Sequence, residues 1–319
     1  MSVILEAKHI SKNFGLTQAL KDVSVTIDEG EVIGLIGENG SGKSTLSSII
    51  SGVYPQSEGE LTLDGKPYKP ADTLDAQNHG ISMIAQEMGT LPGIKVADNL
   101  FIGKEQLFTK HGVVDRKKMY QEARKALEKI GIDNIHPEDP IIKYSLEERK
   151  LIEVVRALYT NPRIFIVDET TTALSQRGRD IIYQVIKNMK KENKTVLFIS
   201  HDLEELMEVC SKLIVLRDGV FVAELEKSEF EEEKIKELMV GRKLTGDYYR
   251  SDYDGSYGKE VVLSAEKLYV GDSLKGVSLE LHKGEILGIG GLTDCGMHEL
   301  GKALFGTVKP LYGEVKLGS

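Results

Sequence analysis

Short apolar runs closed by Gly, Asp or Ser recur along the chain: EVIGLIG (31–37), GISMIAQ (80–86), RIFIVDE (163–169), TVLFISH (195–201) and KLIVLRDG (212–219). Runs this short, each ended by a turn residue, predict buried strands, whereas apolar residues spaced by three and four predict helices. Helical spacing places Met119, Ala123, Leu127 and Ile130 on one face of 115–130, an amphipathic helix with a solvated opposite face. The acidic run SEFEEEKIKEL (228–238) predicts a second solvated helix. In KYSLEERKLIEVVRAL (143–158), Leu151, Val154, Val155 and Leu158 share a face. Ser145 and Glu148 ahead of them have the S-x-x-E spacing of a capping box. Strands alternating with helices predict an α/β domain with a largely parallel sheet. Residues 243–259, KLTGDYYRSDYDGSYGK, lose all periodicity and read as a linker.

Beyond that linker the pattern returns. LKDVSVTIDEGEVIGLIGENGSGKSTL (20–46) corresponds to LKGVSLELHKGEILGIGGLTDCGMHEL (274–300), residue 20 falling on residue 274 at an offset of 254. The correspondence continues without gaps, Gly52 on Gly306 and Gly59-Glu60 on Gly313-Glu314. This is duplication of a domain rather than a short repeat. Only 260–319 represent the second copy, too short a stretch to bury the core of the first. The expectation is a chain cut off early in its second domain.

Composition narrows the class. The chain has 319 residues, 40% hydrophobic and 29% charged, as in a soluble globular protein with room for one large domain and part of another. A net charge of −9 without a Lys/Arg block argues against nucleic acid as a partner. The two cysteines, Cys210 and Cys295, are far apart and lack metal-ligand spacing, which suggests a reducing, cytoplasmic compartment. MSVILEAKHISKNF lacks the pattern of a secretory signal. No run approaches the roughly 18 apolar residues of a membrane span, so work at a membrane needs a partner.

Candidate chemistry begins at GENGSGKST (37–45), which fits G-x-x-x-x-G-K-[ST] between a strand and a helix. In that context glycines let backbone N–H groups wrap phosphates, and the helix start adds its positive end. Gly37, Asn39, Gly40, Ser41, Gly42 and Thr45 would form the cradle. Lys43 would reach the β- and γ-phosphates and Ser44 would ligate Mg²⁺, so the loop predicts ATP binding. RIFIVDE ends a strand in two acids: Asp168 could hold the Mg²⁺ and Glu169 could orient or deprotonate the attacking water. His201 closes the next apolar strand, at the phosphate-binding edge of such a sheet.

In this order of motifs the chain resembles the ATP-binding cassette ATPases over 3–242, and the resemblance resumes at 260–319. It implies an α/β fold of the P-loop NTPase class: a mixed sheet core, a helical subdomain over about 88–160 and an antiparallel β subdomain. The domains it implies are a first cassette (1–242), the linker (243–259) and the opening of a second, degenerate cassette (260–319). Phe14 then stands where the family stacks an aromatic on adenine. Gln86 falls at the glutamine that contacts Mg²⁺ and the transport partner, Asp168 and Glu169 at the metal-binding and catalytic acids, and His201 at the histidine that senses the γ-phosphate. ALSQ (173–176) sits at the loop following those acids. MVGR (239–242) and GLTDCGMHELGKALFG (291–306) resemble, more narrowly, the twin-cassette ATPases of ribose-, galactose- and xylose-type importers. The implied function is a transport-coupled ATPase, a translocase subunit peripheral to the cytoplasmic face of the cell membrane. Its implied partners are integral-membrane sugar permease subunits, an extracytoplasmic sugar-binding protein and its own second cassette, and a nucleoside is an alternative cargo. A soluble twin-cassette translation or repair ATPase is disfavoured by the acidic linker, and a nucleotide sensor without turnover is the remaining rival.

Two departures from the family pattern are expected to matter. In the family, each ATP lies between the P-loop of one cassette and an LSxGxxQ helix start of the other; here Tyr144-Ser145-Leu146-Glu147-Glu148 replaces that start, with Glu147 in place of its glycine. A carboxylate about 4 Å from a γ-phosphate charge costs roughly 4 kcal/mol at an effective dielectric of 20. In the second copy Lys43, Ser44 and Thr45 become Met297, His298 and Glu299, so its loop keeps the turn and loses the cation chemistry. Head-to-tail pairing would unite both defects in one silent site and leave the other catalytic.

Overall fold

The computed structural model describes residues 2–242, 255–291 and 295–318, and the chain divides into two compact units, Met1–Leu244 and Thr245–Ser319. The first unit is built on a six-stranded sheet of β3 (Val32–Ile36), β6 (Ile81–Ile84), β9 (Ile164–Asp168), β10 (Thr195–Ile199), β11 (Lys212–Arg217) and β12 (Val220–Glu226). Its order is β12-β11-β3-β10-β9-β6, parallel except for the antiparallel edge β12. Alternation along each strand feeds two cores. Ile164 and Ile166 face one and Phe165 and Val167 the other, because successive side chains of a strand point to opposite faces.

On the first face a twisted antiparallel sheet closes the core. It comprises β1 (Val3–Phe14), β2 (Thr17–Asp28), β4 (Glu58–Leu63) and β5 (Lys66–Tyr68), in the order β2-β1-β4-β5, with helix α1 (Lys43–Ile50) burying Leu46, Ile49 and Ile50 in the same cluster. Helix α2 (Thr73–Asn78) adds Ala76 there. The second face is covered by α6 (Gln176–Lys191), α7 (Leu203–Val209) and α8 (Glu232–Val240) through Ile182, Val185, Leu206 and Ile235. The acidic run therefore turns helical at Glu232, later than the sequence pattern predicts, after a 3₁₀ turn over Lys227–Glu229.

A third core joins α3 (Val96–Leu100), α4 (Arg116–Glu128) and α5 (Leu146–Tyr159), capped by the small hairpin β7 (Thr109–Lys110) and β8 (Val113–Val114). Phe101, Phe108, Met119, Ala123 and Leu127 fill it. Helix α5 departs from its expected character. Leu151, Val154 and Val155 are buried as the periodicity predicts, yet Lys150 and Glu153 are buried too, at 2% and 3% exposure.

The second unit repeats the first in backbone detail. Strands β13 (Val261–Val270), β14 (Leu274–His282) and β15 (Tyr312–Leu317) form a sheet of order β14-β13-β15. Ala7 pairs with Val25 and Leu61, and Ala265 pairs with Leu279 and Val315. The offset is 258 on the first strand (Ala7 to Ala265) and 254 on the second (Val25 to Leu279), so the second hairpin is four residues shorter. His9 and Lys267 occupy the same left-handed bulge, with φ of 53° and 46°. A Cβ on Gly59 would lie 2.3 Å from the His9 carbonyl oxygen, and one on Gly313 would lie 2.4 Å from that of Lys267, so both bulges require glycine opposite them. The equivalent of β3, EILGIG (285–290), pairs with no described strand and leaves Ile286, Leu287 and Ile289 exposed. Of the stretch read as a linker, 243–254 lies outside the described residues. Gly258 donates to the Lys283 carbonyl at 2.8 Å and Tyr257 packs on His282, so 255–259 is tied to the second unit.

Burial also separates the two thiols. Cys210 is in the core and its pKa is pushed up by desolvation, whereas Cys295 is exposed. Titration of the native chain with an aromatic disulfide reagent is expected to detect one fast thiol, Cys295, and to detect Cys210 only after denaturant is added.

Candidate functional site

The parallel register brings the ends of β3, β6, β9 and β10 to one edge of the sheet, and the residues singled out above gather there. Gly42 enters α1 with φ of 100° and supplies no side-chain cap. The first-turn N–H groups of α1 are thus left for an external acceptor. A Cβ on Gly42 would lie 2.5 Å from a Leu20 methyl and 2.8 Å from the Ala19 carbonyl oxygen, so the β1–β2 hairpin runs against the loop and only glycine fits. Gly37 is buried, Asn39 and Gly40 are exposed, and a Cβ on Gly40 would meet open space. Thr45 is half-buried one residue further into the helix.

Lys43 is buried and donates to the carbonyls of Gly37 and Glu38 at 2.9 and 3.0 Å, which folds the loop around the ammonium. Burial lowers its pKa, opposed by the charges of Glu169 and Asp168. Ser44 donates to Asp168 Oδ1 at 3.3 Å and Ser47 to Asp168 Oδ2 at 3.4 Å. Burial is the main cause that raises the Asp168 pKa; the two hydroxyls oppose it and the neighbouring Glu169 adds to it. Ser41 Oγ is buried with no hydrogen-bond partner. The loop thus holds a desolvated cation, a desolvated carboxylate and an orphaned hydroxyl around an open space.

Glu169 follows with φ of 43°, a left-handed conformation that a glutamate adopts only under constraint. Its N–H donates to the Ile199 carbonyl at 2.9 Å, extending the β9–β10 ladder by one bond. Its carboxylate accepts from the Gln86 amide at 2.9 Å and lies 4.0 Å from His201 Nδ1, a largely exposed ring. Lys43, Ser44, Asp168, Glu169, Gln86 and His201 therefore form one cluster. Phe14 stands apart from it on the β1–β2 hairpin. Its half-exposed ring packs edge-on to Tyr54 with centroids 5.4 Å apart, and Lys12 Nζ lies 5.1 Å and 5.7 Å from the two ring centres. Tyr54 and Lys12 carried no sequence signal: each is a single residue beside a strand end or helix end, paired only by folding. A cavity of about 330 Å³ lined by Ala126, Ile130, Val155, Leu158, Val185 and Met189 contains none of these residues.

The expected capping box at α5 is present. Ser145 Oγ accepts from the Glu148 N–H, and the Ser145 N–H donates to Glu148 Oε2 at 2.9 Å. Glu147, in the first turn of α5, has a partner on another element. Its Oε1 accepts from Ser175 Oγ at 2.5 Å, and Ser175 is itself the cap of α6. The carboxylate is drawn toward the start of α6, where Gly178 in the first turn leaves it room. In the second unit Gly296 caps α9 (Met297–Phe305) with φ of 89°, the geometry of Gly42. Residues 292–294 of the segment 291–306 lie outside the described residues.

A strand–glycine loop–helix with a buried lysine, joined to an aspartate and a glutamate at the end of β9, the next strand but one, defines a P-loop nucleotide-binding cassette. A family model described as ABC transporter matches residues 20–172. The chain is 38% identical over 320 residues to the ribose import ATP-binding protein RbsA of Caldanaerobacter subterraneus subsp. tengcongensis, covering 100% of this chain and 63% of that protein. It is 37% identical over 317 residues to the ribose import ATP-binding protein RbsA of Burkholderia pseudomallei, covering 98% and 61%. Among solved structures, a nucleotide-free ATP-binding cassette from an ABC transporter superposes with a TM-score of 0.65 at 27% identity, covering 74% of this chain and 98% of that one. A cassette in its ADP conformation superposes with a TM-score of 0.64 at 27% identity, covering 76% and 100%. The chain carries an ABC transporter ATPase domain, and it spans 61–63% of the length of the two relatives named.

The orphaned Ser41 hydroxyl gives a direct check on the loop. A buried unpaired hydroxyl costs about 1–3 kcal/mol, so Ser41→Ala is expected to raise the ligand-free unfolding free energy by about 1 kcal/mol, measured by urea denaturation.

Proposed function

We propose that this chain is the nucleotide-binding part of an importer for a simple sugar, binding ATP with Mg²⁺ at the Lys43–Asp168 cluster and hydrolysing it against Glu169. The observation that carries the reading is the pairing of a desolvated Lys43 with a desolvated Asp168 across one loop. Each is a buried charge that a ligand of the opposite sign would compensate. The anionic partner is the triphosphate, received by Lys43 and the N–H groups of Gly40, Gly42, Ser44 and Thr45. The cationic partner is Mg²⁺, for which Ser44, Asp168 and Gln86 offer hard oxygen ligands. Among the described residues no group of three His, Cys, Asp or Glu could hold a metal alone. That fits an ion whose remaining ligands come from phosphate and water. Mg²⁺ neutralises phosphate charge during transfer. Glu169 would accept a proton from the attacking water, Gln86 and His201 would orient it, and Phe14 would stack on the base.

The names of the two relatives support ribose or a similar sugar as cargo. No helix among the described residues is long and apolar enough to cross a membrane, so the proposed partners include integral-membrane permease subunits and, through them, an extracytoplasmic sugar-binding protein. The proposed location is the cytoplasmic face of that membrane. Residues 260–319 are the opening of a second, degenerate cassette in this reading. The repeated bulge, strand pairing and left-handed Gly296 support it, and Met297 and His298 offer neither lysine nor hydroxyl to a phosphate.

Calorimetric titration of the chain with ATP and Mg²⁺ is expected to give a single site. Lys43→Ala is expected to weaken it about 10- to 100-fold, the loss of one or two charge-assisted hydrogen bonds. Glu169→Gln is expected to retain affinity and to slow single-turnover hydrolysis by about 10²-fold or more. Unchanged binding by Lys43→Ala refutes the reading.

A further inference from the structure

The loop that presents Gln86 has little packing of its own, since residues 85–89 are all exposed. It is held from beneath by α5. Lys150 Nζ donates to the carbonyls of Ala85 and Glu87 at 2.8 and 3.1 Å, and to Glu153 Oε2 at 2.9 Å. An ammonium has three donors, and all three are spent. Two of them grip the carbonyl oxygens of Ala85 and Glu87, the residues on either side of Gln86. Glu153 uses its other oxygen to accept the Gly89 N–H, and Arg156 donates to the Gly89 carbonyl at 3.1 Å. Three consecutive inward positions of one helix thus fasten both ends of a five-residue exposed loop.

A buried ion pair is weak evidence of stabilisation, because desolvation offsets its Coulomb energy and an apolar pair often serves as well. Helix α5 already buries Leu151, Ile152, Val154 and Val155, so packing alone does not call for Lys150 and Glu153. What an apolar pair could not do is fix the orientation of the 85–86 and 87–88 peptides, which bracket Gln86. With those carbonyls turned inward, the Gln86 side chain projects to the sheet edge and its amide reaches Glu169 Oε2 at 2.9 Å. We propose that Lys150 and Glu153 are positioning residues that set the Gln86 amide against Glu169. The inference rests on the functional reading above only for the consequence on hydrolysis. Helix α5 starts at the capping box of Ser145 and carries Glu147, which is bonded to Ser175. The tie therefore links that helix start, the Gln86 loop and the loop after β9 in one connected set of contacts.

The test is a mutant cycle on the whole chain. Lys150→Met with Glu153→Leu removes both fully buried charges together, so neither is stranded by loss of the other, and the half-buried Arg156 keeps its bond to the Gly89 carbonyl. Three quantities are measured: single-turnover ATP hydrolysis, the Kd of a fluorescent ATP analogue, and amide hydrogen exchange over 85–89. The expected result is hydrolysis slowed about tenfold or more, as for small misplacements of a reacting group, with Kd within about twofold. Exchange at Gly89 should accelerate. Adding Gln86→Ala should cost the double variant much less than it costs the parent chain, because the residues act through one another. Fully additive losses, or parental exchange at 85–89 in the double variant, overturn the proposal. If the parent chain binds no ATP, the functional reading fails, while the exchange data still decide whether the tie orders the loop.

Discussion

The site depends on one alignment of backbone hydrogen bonds. Strand β9 lies in parallel between β10 and β6, with Ile199 opposite Asp168 and Ile84 opposite Val167. Because parallel strands run the same way, the loops after β3, β6, β9 and β10 open on a single edge. That edge receives Lys43 from the helix after β3, Gln86 from beyond β6, the two acids from β9 and His201 from beyond β10. A one-residue slip of β9 would exchange its faces, sending Phe165 and Val167 toward the antiparallel sheet and removing Asp168 from Ser44 and Ser47. The alternating burial of Ile164, Phe165, Ile166 and Val167 between two cores is what forbids that slip.

On this rigid edge the local energetics are deliberately poor. The pKa values of Lys43 and Asp168 are displaced toward their neutral forms, Ser41 Oγ has no partner, and Glu169 sits in a left-handed conformation. Each is a cost that the surrounding sheets and helices must offset, and a ligand supplying the missing charge or hydrogen bond would relieve those at Lys43, Asp168 and Ser41. Strain and unsatisfied groups thus concentrate at the proposed nucleotide site.

The strands and the phosphate loop were legible in the sequence because their signals are local: a short apolar run, a glycine spacing, acids at a strand end. The capping box of Ser145 and Glu148 was legible for the same reason. Contacts between distant segments were not. Lys150 and Glu153 look like the solvated stripe of an amphipathic helix until the 85–89 loop is folded over them. The charge of Glu147 was readable, but its partner Ser175 lies 28 residues on and belongs to another helix cap. The repeat of β1 in β13 escaped pattern matching for a different reason. The shared feature is a backbone bulge, held by Gly59 in one copy and Gly313 in the other, and His9 and Lys267 share it without sharing chemistry.

That duplication separates shape from chemistry within one chain. Glycine determines the shape: Gly42 and Gly296 both enter their helices left-handed, and both bulges face a glycine that admits no Cβ. The residues that follow determine the chemistry, and they diverge. The second copy presents Met297 and His298 where the first presents Lys43 and Ser44, so neither ammonium nor hydroxyl follows its left-handed glycine. The hairpin tells the same story at the other end of the site. From Ile10 to Leu20 the first copy carries Phe14 beyond its last core residue, whereas from Leu268 to Leu274 the second turns back four residues sooner. The four extra residues of the hairpin that carries Phe14 have no counterpart there, where Tyr269 instead packs edge-on to Tyr312. Loss of the lysine, the hydroxyl and the aromatic extension are three independent changes acting on one ligand, while the bulge, the strand pairing and the left-handed glycine, which act on the fold, are all kept. A copy that keeps the glycines of the bulge and of the helix entry while replacing the lysine and the hydroxyl fits the proposed role of a folded surface rather than a nucleotide site.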